Sequence, residues 1–475
     1  LERRGKRIAG KAFLDKSVTE HQRQVLFLIH NQNAQGVRLA LLRCVAVRRQ
    51  RLHVFPSAKL SSKGGKYWGN LVYYRVQADC SATQKTPLLL LEAQTLTNGA
   101  VPSIIAFVEI LSEEQYMALT ERENFLRNAS MTGPEWMPVY FVISGATWNQ
   151  LGPELEDVLA RHPVLFPDFK RGERKHKQTN PSGLVEVSED STDSWGCRWH
   201  RNIDGITGQV VGHPLDDWDN LADFEPPDPQ TQTDMGTIDW DEVRERLDRQ
   251  RAEGRLTCAS LAHGFLFMRL YYLRGFENLM MDYATGEPRL RELIDMLVRF
   301  NNGLLRRYLN LGVDLVSAGD DLGTQTAAMV SPRTFHEWIT PAYRRIFGPA
   351  REAGCHVLLH SDGHMVELMD EIIASGATIC NPQDLCNGID EIKRAVDGRI
   401  AVRLDIDRQS VVPFGTPREI HDLVEEGVRK LGAPEGGLEL VVGVYPPTPP
   451  ENVEALCNAF EEFRTYWFDG RGKPL

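Results

Sequence analysis

His360 and Asp362 stand two positions apart in the stretch Gly354-Cys355-His356-Val357-Leu358-Leu359-His360-Ser361-Asp362-Gly363. Residues i and i+2 of a strand point to the same side, so one imidazole and one carboxylate can face a single metal ion or substrate. Both groups are cation ligands and both carry protons in acid–base catalysis. A second cluster of this kind comes earlier, where Val313-Asp314-Leu315-Val316-Ser317-Ala318 runs into Gly319-Asp320-Asp321-Leu322-Gly323. Neighbouring carboxylates in a low-dielectric site push one pKa upward, which suits general-acid work at Asp320 or Asp321. The plainer alternatives are structural. One of the two aspartates can cap the helix that follows, Asp362 can do the same, and His360 can be a satisfied core histidine.

Three further segments end apolar runs in polar groups. Cys380-Asn381-Pro382-Gln383-Asp384 offers two amides, Asn381 and Gln383, for directed hydrogen bonds to a substrate, while Cys380 reads as a small buried hydrophobe. Arg403-Leu404-Asp405-Ile406-Asp407-Arg408-Gln409 carries charges of both signs, with a solvated salt-bridge cluster as the competing reading. Gly443-Val444-Tyr445-Pro446-Pro447-Thr448-Pro449-Pro450-Glu451-Asn452 is a loop stiffened by proline, in which Tyr445 can wall a pocket.

These clusters need elements to position them. Short apolar runs occur at Met137–Ile143, Pro163–Phe166, Leu256–Leu261, Val313–Ala318, His356–His360, Ala377–Cys380, Ile400–Leu404 and Gly437–Val442. Helical stretches separate most of them; Glu292 to Leu309, for example, repeats apolar residues at helical spacing. Eight strands alternating with helices predict a parallel sheet closed as a (β/α)8 TIM-type barrel, and the chain has no glycine-rich dinucleotide turn to favour a doubly wound sheet. Ligands of such barrels bind at the C-terminal ends of the strands, where these polar clusters fall. Residues 171–235 interrupt the pattern as a β-hairpin-like insertion containing Asp193-Ser194-Trp195-Gly196-Cys197-Arg198-Trp199.

The whole chain of 475 residues has a net charge of −11, which argues against nucleic acid as a partner. No uninterrupted apolar run reaches the length of a membrane span. Eight cysteines without a C-x-x-C pair point to a reducing, cytoplasmic setting, where the Asn128-Ala129-Ser130 sequon is a chance match. The charge is uneven: residues 1–116 hold 17 Lys+Arg against 8 Asp+Glu. That part reads as an atypical basic N-terminal extension, disordered or foreign to the natural protein. A strand at Lys66–Tyr74 and a basic nucleic-acid-binding module are the competing readings. Met117 looks like a natural start, with Thr120 and Glu123 forming a capping box, so residues 117–475 are expected to be the barrel.

At these residues the chain resembles the uroporphyrinogen decarboxylase superfamily, which includes cobamide-dependent methyltransferases. The matching segments are Gly319-Asp320-Asp321-Leu322-Gly323-Thr324-Gln325 followed by Ser331-Pro332, then His360-Ser361-Asp362-Gly363, Asn381-Pro382 and Pro447-Thr448-Pro449-Pro450-Glu451-Asn452-Val453. The likeness runs from about Leu119 to Trp467. It implies a barrel with its site in the C-terminal mouth. Decarboxylases of this superfamily hold the carboxylates of their substrate with an arginine-rich loop after the first strand; here that place reads Ser144-Gly145-Ala146-Thr147-Trp148-Asn149-Gln150. The thiol-methylating branch binds zinc through His-x-Cys and a later Cys. Here His360 matches the histidine, Asp362 replaces the first cysteine, and Gly443-Val444 stands in place of the second.

What remains is a harder ligand set, His360 with Asp362, that either holds zinc through nitrogen and oxygen or holds no metal. The resemblance then implies methyl transfer from a small methylated substrate to a corrinoid on a partner protein. Asp320, Asp321, His360 and Asp362 would be the catalytic residues. Gln325, Asn381, Gln383, Asp405 and Tyr445 would contact substrate. The expected partners are a small-molecule substrate, a corrinoid protein for which the Trp195–Trp199 loop is a docking candidate, and a second copy in a homodimer. Decarboxylation of a tetrapyrrole or other acid, and a non-catalytic binding barrel, are the alternatives.

Overall fold

The computed structural model describes residues 119–472 and, ahead of them, the backbone of six strands. Those strands form two antiparallel three-stranded sheets, one of Arg23–His30, Val37–Val47 and Arg51–Pro56, the other of Val72–Ala78, Leu88–Thr95 and Ile105–Glu109. Of the strand expected at Lys66–Tyr74, residues 72–74 fall in a strand and the rest lie outside the described residues, as does Met117. Residues 1–118 and 119–475 are separate compact units.

The second unit is a TIM-type α/β barrel. Seven parallel strands build it: β1 (Val139–Ile143), β2 (Cys258–His263), β3 (Leu315–Gly319), β4 (His356–His360), β5 (Ile379–Asn381), β6 (Ala401–Ile406) and β7 (Leu438–Val444). Their order in the sheet is β2-β3-β4-β5-β6-β7-β1. Helices cover the outer face, so most of these strands are apolar on both sides, and β7 is buried throughout. Pro163–Phe166, expected as a strand, is a turn instead. The amides of Leu165 and Phe166 both donate to the His162 carbonyl at the end of the helix Pro153–Arg161, and the Phe166 ring packs on Phe141 of β1 at 5.0 Å. Four apolar residues are too few to distinguish a strand from a capped helix end.

Side chains fill the barrel in layers. At the floor, Leu315, Leu358, Ile379 and Ala401 pack against Phe125 and Ala129 of the helix Glu121–Ala129. That helix starts with the expected capping box between Thr120 and Glu123. Asn128 of the sequon is buried there and accepts from the Gly437 amide at 3.1 Å, which removes it as a glycan acceptor. Above the floor lies a buried ion pair, Arg403 to Glu439, with the guanidinium 4.2 Å from the Tyr140 ring. The next layer up is the mouth.

The insertion forms a three-stranded antiparallel sheet, Glu186–Thr192, Arg198–Ile203 and Gln209–Gly212. Trp195, Cys197 and Trp199 are buried in the main core. They are therefore not the docking loop expected from the sequence: both tryptophans turn inward, with their Nε1–H groups donated to Asp234 and Asp193, and Arg269 pairs with Asp193.

Candidate active site

Register brings the key residues to one level. His263 of β2 pairs with Gly319 of β3, Gly319 with His360 of β4, and His360 with Asn381 of β5. Four adjacent strands thus end on a single rung. Gly319 is the only one of the four without a side chain, and a Cβ there would lie 3.2 Å from His263 Nδ1 and 3.6 Å from His360 Cδ2. The missing methyl group lets the two imidazoles converge, with ring centroids 5.3 Å apart.

Each imidazole has a defined partner. His360 Nδ1 meets Asn381 Oδ1 at 2.9 Å, and the Asn381 amide is oriented by donating Nδ2–H to the Arg403 carbonyl at 2.6 Å. The oxygen of Asn381 thus accepts the Nδ1 proton, and Nε2 of His360 points toward Asp362 Oδ1 at 3.2 Å. His263 Nε2 lies 3.0 Å from Asp321 Oδ1, which also accepts from the Asp362 amide at 3.1 Å. Burial lowers the His263 pKa, but hydrogen bonding to Asp321 and the field of Asp321, Asp320 and Asp362 outweigh it and raise the value overall.

Asp362 and Asp405 share Arg408 and are driven apart in acidity. The Arg408 guanidinium contacts Asp362 directly and lies 3.5 Å from Asp405. Burial raises the pKa of Asp362, yet His360, Arg408 and His263 more than offset this and bring it to about 2. Asp405 is deeper, and burial lifts its carboxyl to about 6 against the pull of Arg408 and His360. Its Oδ1 is buried with no hydrogen-bond partner. Asp384, just beyond β5, is pushed up to about 8 by burial and also keeps one unpartnered carboxylate oxygen.

Asp320 occupies a different setting. It is fully buried and accepts from the amides of Leu266, Phe267 and Met268 and from the Tyr343 hydroxyl at 2.8 Å. It caps the helix Phe267–Arg274 of the preceding repeat, so its oxygens are spent on the scaffold. Burial lifts it to about 6 against those donors. Asn381 is also committed to protein groups. Gln383 Oε1 accepts from the Gly363 amide at 2.8 Å and fixes the loop that carries Asp362. Gln325 is exposed and accepts from the Cys386 thiol at 3.3 Å. Tyr445 stands under Arg408, with the guanidinium 5.5 Å from the ring. Cys380 is buried, its thiol raised to about 12 by burial.

Two close approaches hold the loops in place. Gly363 has φ +77°, and a Cβ on it would lie 2.1 Å from the Gly323 carbonyl oxygen. The loops after β3 and β4 therefore pack backbone on backbone. Gly443 serves a related end, because a Cβ there would lie 2.6 Å from the Tyr445 ring and 2.9 Å from Arg408 Cδ. The place of the second zinc thiolate in the resembling branch is thus filled by Tyr445 and Arg408. A thiolate set does not fit this mouth, whereas a nitrogen–oxygen set does: two groups, His263–Asp321–His360 and His360–Asp362–Asp405, each bring three donor atoms within 4.8 Å of one another.

Sequence reasoning missed two members. His263 ends a strand in His-Gly, the same signal as at His360 but without a carboxylate at i+2. Arg408 lies in a segment for which a solvated salt-bridge cluster is the competing reading, and it holds two carboxylates inside the mouth.

The sequence model of the family described as Uroporphyrinogen decarboxylase (URO-D) matches residues 202–463. The chain belongs to the URO-D family. The matched range takes in β2 to β7 and every mouth residue named above, while β1 and the Ser144–Gln150 segment precede it. A uroporphyrinogen decarboxylase from Prochlorococcus marinus (strain NATL2A) is 22% identical over 353 residues, covering 70% of this chain and 94% of the relative. Among solved structures, a methyltransferase from Methanosarcina mazei is similar at 17% identity and TM-score 0.49, covering 73% of this chain and 99% of that one. A B12-independent methionine synthase from Shewanella sp. W3-18-1 is similar at 10% identity and TM-score 0.32, over 49% of this chain and 68% of that one. Neither structural likeness assigns a reaction. Among the described residues, no helix is long and apolar enough to cross a membrane.

Proposed function

We propose that this URO-D-family chain removes a methyl group from a small methylated substrate and passes it to a corrinoid carried by a partner protein. The observation that carries the reading is the pair Asp362 and Asp405, two carboxylates on one arginine held at about 2 and about 6. Environments that separate two like groups in this way mark an acid and an anion with different tasks. Asp405 keeps a proton in mildly acidic solution and can give it to the oxygen or nitrogen that the methyl group leaves. Asp362 stays ionised and holds Arg408 and His360 in place. Asn381 sets the ring orientation of His360, and Gln383 sets the loop bearing Asp362.

The charge of the mouth also favours a small substrate over a polycarboxylate. Asp321, Asp362 and Asp405 share the mouth with one guanidinium, Arg408, which is already paired with Asp362 and Asp405. A porphyrinogen with many carboxylates would be repelled by that field. Leu385 and Phe414, on the segments after β5 and β6, are exposed apolar side chains. The corrinoid supplies the nucleophile that accepts the methyl group, and a cation on the His/Asp donors supplies Lewis acidity.

Decarboxylation is the second reading, favoured by the Prochlorococcus relative. Asp405 would then protonate the carbon from which carbon dioxide departs. Both readings are tested together. The purified chain is incubated with methyl ethers and methylamines plus reduced cobalamin, followed by the methylcobalamin absorption, and separately with uroporphyrinogen. Methylcobalamin formation that falls at least about 100-fold in Asp405→Asn supports methyl transfer. Conversion of uroporphyrinogen to products with fewer carboxylates overturns it in favour of decarboxylation.

A further inference from the structure

We propose that the methyl donor of this mouth is a methylated ammonium ion, its charge held by Asp321 and Asp405 and its methyl groups lying against Tyr272 and Val142. Three observations favour a cation, given methyl transfer as the reaction, on which this assignment rests. First, the carboxylates of the mouth outnumber its fixed cations. Arg408 serves both Asp362 and Asp405. Among the described residues Asp321 pairs with no arginine or lysine, and its charged partner is His263 at 3.0 Å. An imidazole, unlike a guanidinium, can release its proton and leave the charge of the carboxylate to a ligand. Second, Asp405 is 3% exposed, and its Oδ1 has no hydrogen-bond partner. One of its oxygens lies within 4.8 Å of donor atoms of His360 and Asp362, so the carboxyl borders the mouth. A buried acceptor left open there is completed by a positive group. Third, the walls suit methyl groups on a charged nitrogen. A Cβ on Gly264, the residue after His263, would lie 3.1 Å from Tyr272 Cε2, so this ring stands beside the end of β2. It meets Tyr271 edge to face at 4.8 Å, and burial, followed by the charge of Asp321, pushes its hydroxyl up to about 12. Aromatic faces attract ammonium groups. Val142 shares the inner side of β1 with Tyr140, whose ring meets Arg403, and is 52% exposed.

An ammonium ion also balances the step. The carbon–nitrogen bond breaks with its electron pair staying on nitrogen, so the donor leaves as a neutral amine. The electron pair of the new cobalt–carbon bond comes from the reduced corrinoid, with formal oxidation of cobalt(I) to cobalt(III), and no further oxidant or reductant takes part. Carboxylates that hold the charged donor lose their hold on the neutral product, which frees the mouth for the next turnover. A methyl ether brings no charge to Asp321. A zwitterion brings a carboxylate of its own, which Asp321 and Asp362 repel.

The test is titration calorimetry on the full chain as purified, with three probes of similar size. Choline carries the ammonium charge, 3,3-dimethylbutan-1-ol is its uncharged isostere, and glycine betaine adds a carboxylate. Choline is expected to bind at least about 10-fold more tightly than either of the others. Asp321→Asn, which keeps the size of the side chain, should weaken choline about 10-fold and leave the alcohol within about 2-fold. Tyr272→Leu should weaken choline about 3-fold. Near-ultraviolet circular dichroism verifies that each variant is folded, and the comparison of probes on the wild-type chain needs no variant. Choline that fails to bind, or binds no more tightly than the alcohol, overturns the assignment. So does an Asp321→Asn chain that keeps its preference for choline. Choline bound as expected, with no methylcobalamin formed from any donor, overturns methyl transfer and leaves the cation site standing. Methylcobalamin formed from methyl ethers but not from choline, trimethylammonium or tetramethylammonium overturns the assignment alone.

Discussion

Two ion clusters, one at the insertion and one in the barrel mouth, are built to different ends. In the insertion, Asp193 accepts from the amides of Trp195 and Cys197, from Trp199 Nε1 and from Arg269, while Asp234 accepts from Trp195 Nε1 and pairs with Arg269 at 3.4 Å. Asp193 has both oxygens covered by donors that belong to the fold and Asp234 has its Oδ1 covered, while Arg269 Nε is left without a partner. In the mouth, Asp405 and Asp384 each keep an oxygen with no partner, and His360 aims a ring nitrogen at a carboxylate. Saturated charge holds a structure together; unsaturated charge, kept at the expense of stability, waits for a ligand.

The contrast gives each cluster its own response to substitution. The largest effect is expected at Arg269→Met, which leaves Asp193 and Asp234 buried without a cation and should cost about 3–5 kcal/mol in denaturant unfolding. A loss below about 1 kcal/mol would mean that the insertion knot is not structural and would dissolve the contrast. Next is Gly363→Ala, where a positive φ and a Cβ driven onto the Gly323 carbonyl should cost about 2–4 kcal/mol and separate the loops that carry Asp321 and Asp362. Thermal unfolding measures the cost, and activity should fall with it.

The smallest effect has the opposite sign and sharpens the comparison most. The Asp405 carboxyl at about 6 lies above the unfolded value of about 3.9, so the folded state holds the proton more tightly than the unfolded state does. Ionisation of Asp405 therefore costs stability as pH rises from about 4 through 6, and the full cost is present above that range. Asp405→Asn should stabilise the chain by about 1–3 kcal/mol at pH 8 and by nearly nothing below pH 4, while abolishing turnover. Unfolding curves at both pH values measure this, and a gain that does not depend on pH would remove Asp405 from the unsaturated class.

Much of the mouth was legible in the sequence because the signal is local. A β-branched run that ends in His-Ser-Asp-Gly announces itself within ten residues, and the strand register then puts His360 beside Asn381 and Gly319. The parts that were not legible depend on distant contacts. Asp320 caps a helix more than fifty residues earlier in the chain rather than the helix after it, a choice that no pattern near Asp320 records. Arg408 was not singled out in its segment because its partner Asp362 comes from another strand end. Trp195 and Trp199 looked like an exposed loop because the charges that bury them, Asp234 and Arg269, lie in other segments. The strand content of Pro163–Phe166 was overestimated for the converse reason, since a short apolar run satisfies several local patterns equally well.

Gly443 bears on how this chemistry can change over evolutionary time. A cysteine at 443 would collide with Tyr445 and Arg408. Clearing those two side chains would in turn leave Asp362 and Asp405 without their shared counter-charge. A thiolate metal centre is therefore several simultaneous substitutions away, each harmful on its own. The glycine thus stands against a thiolate at this position.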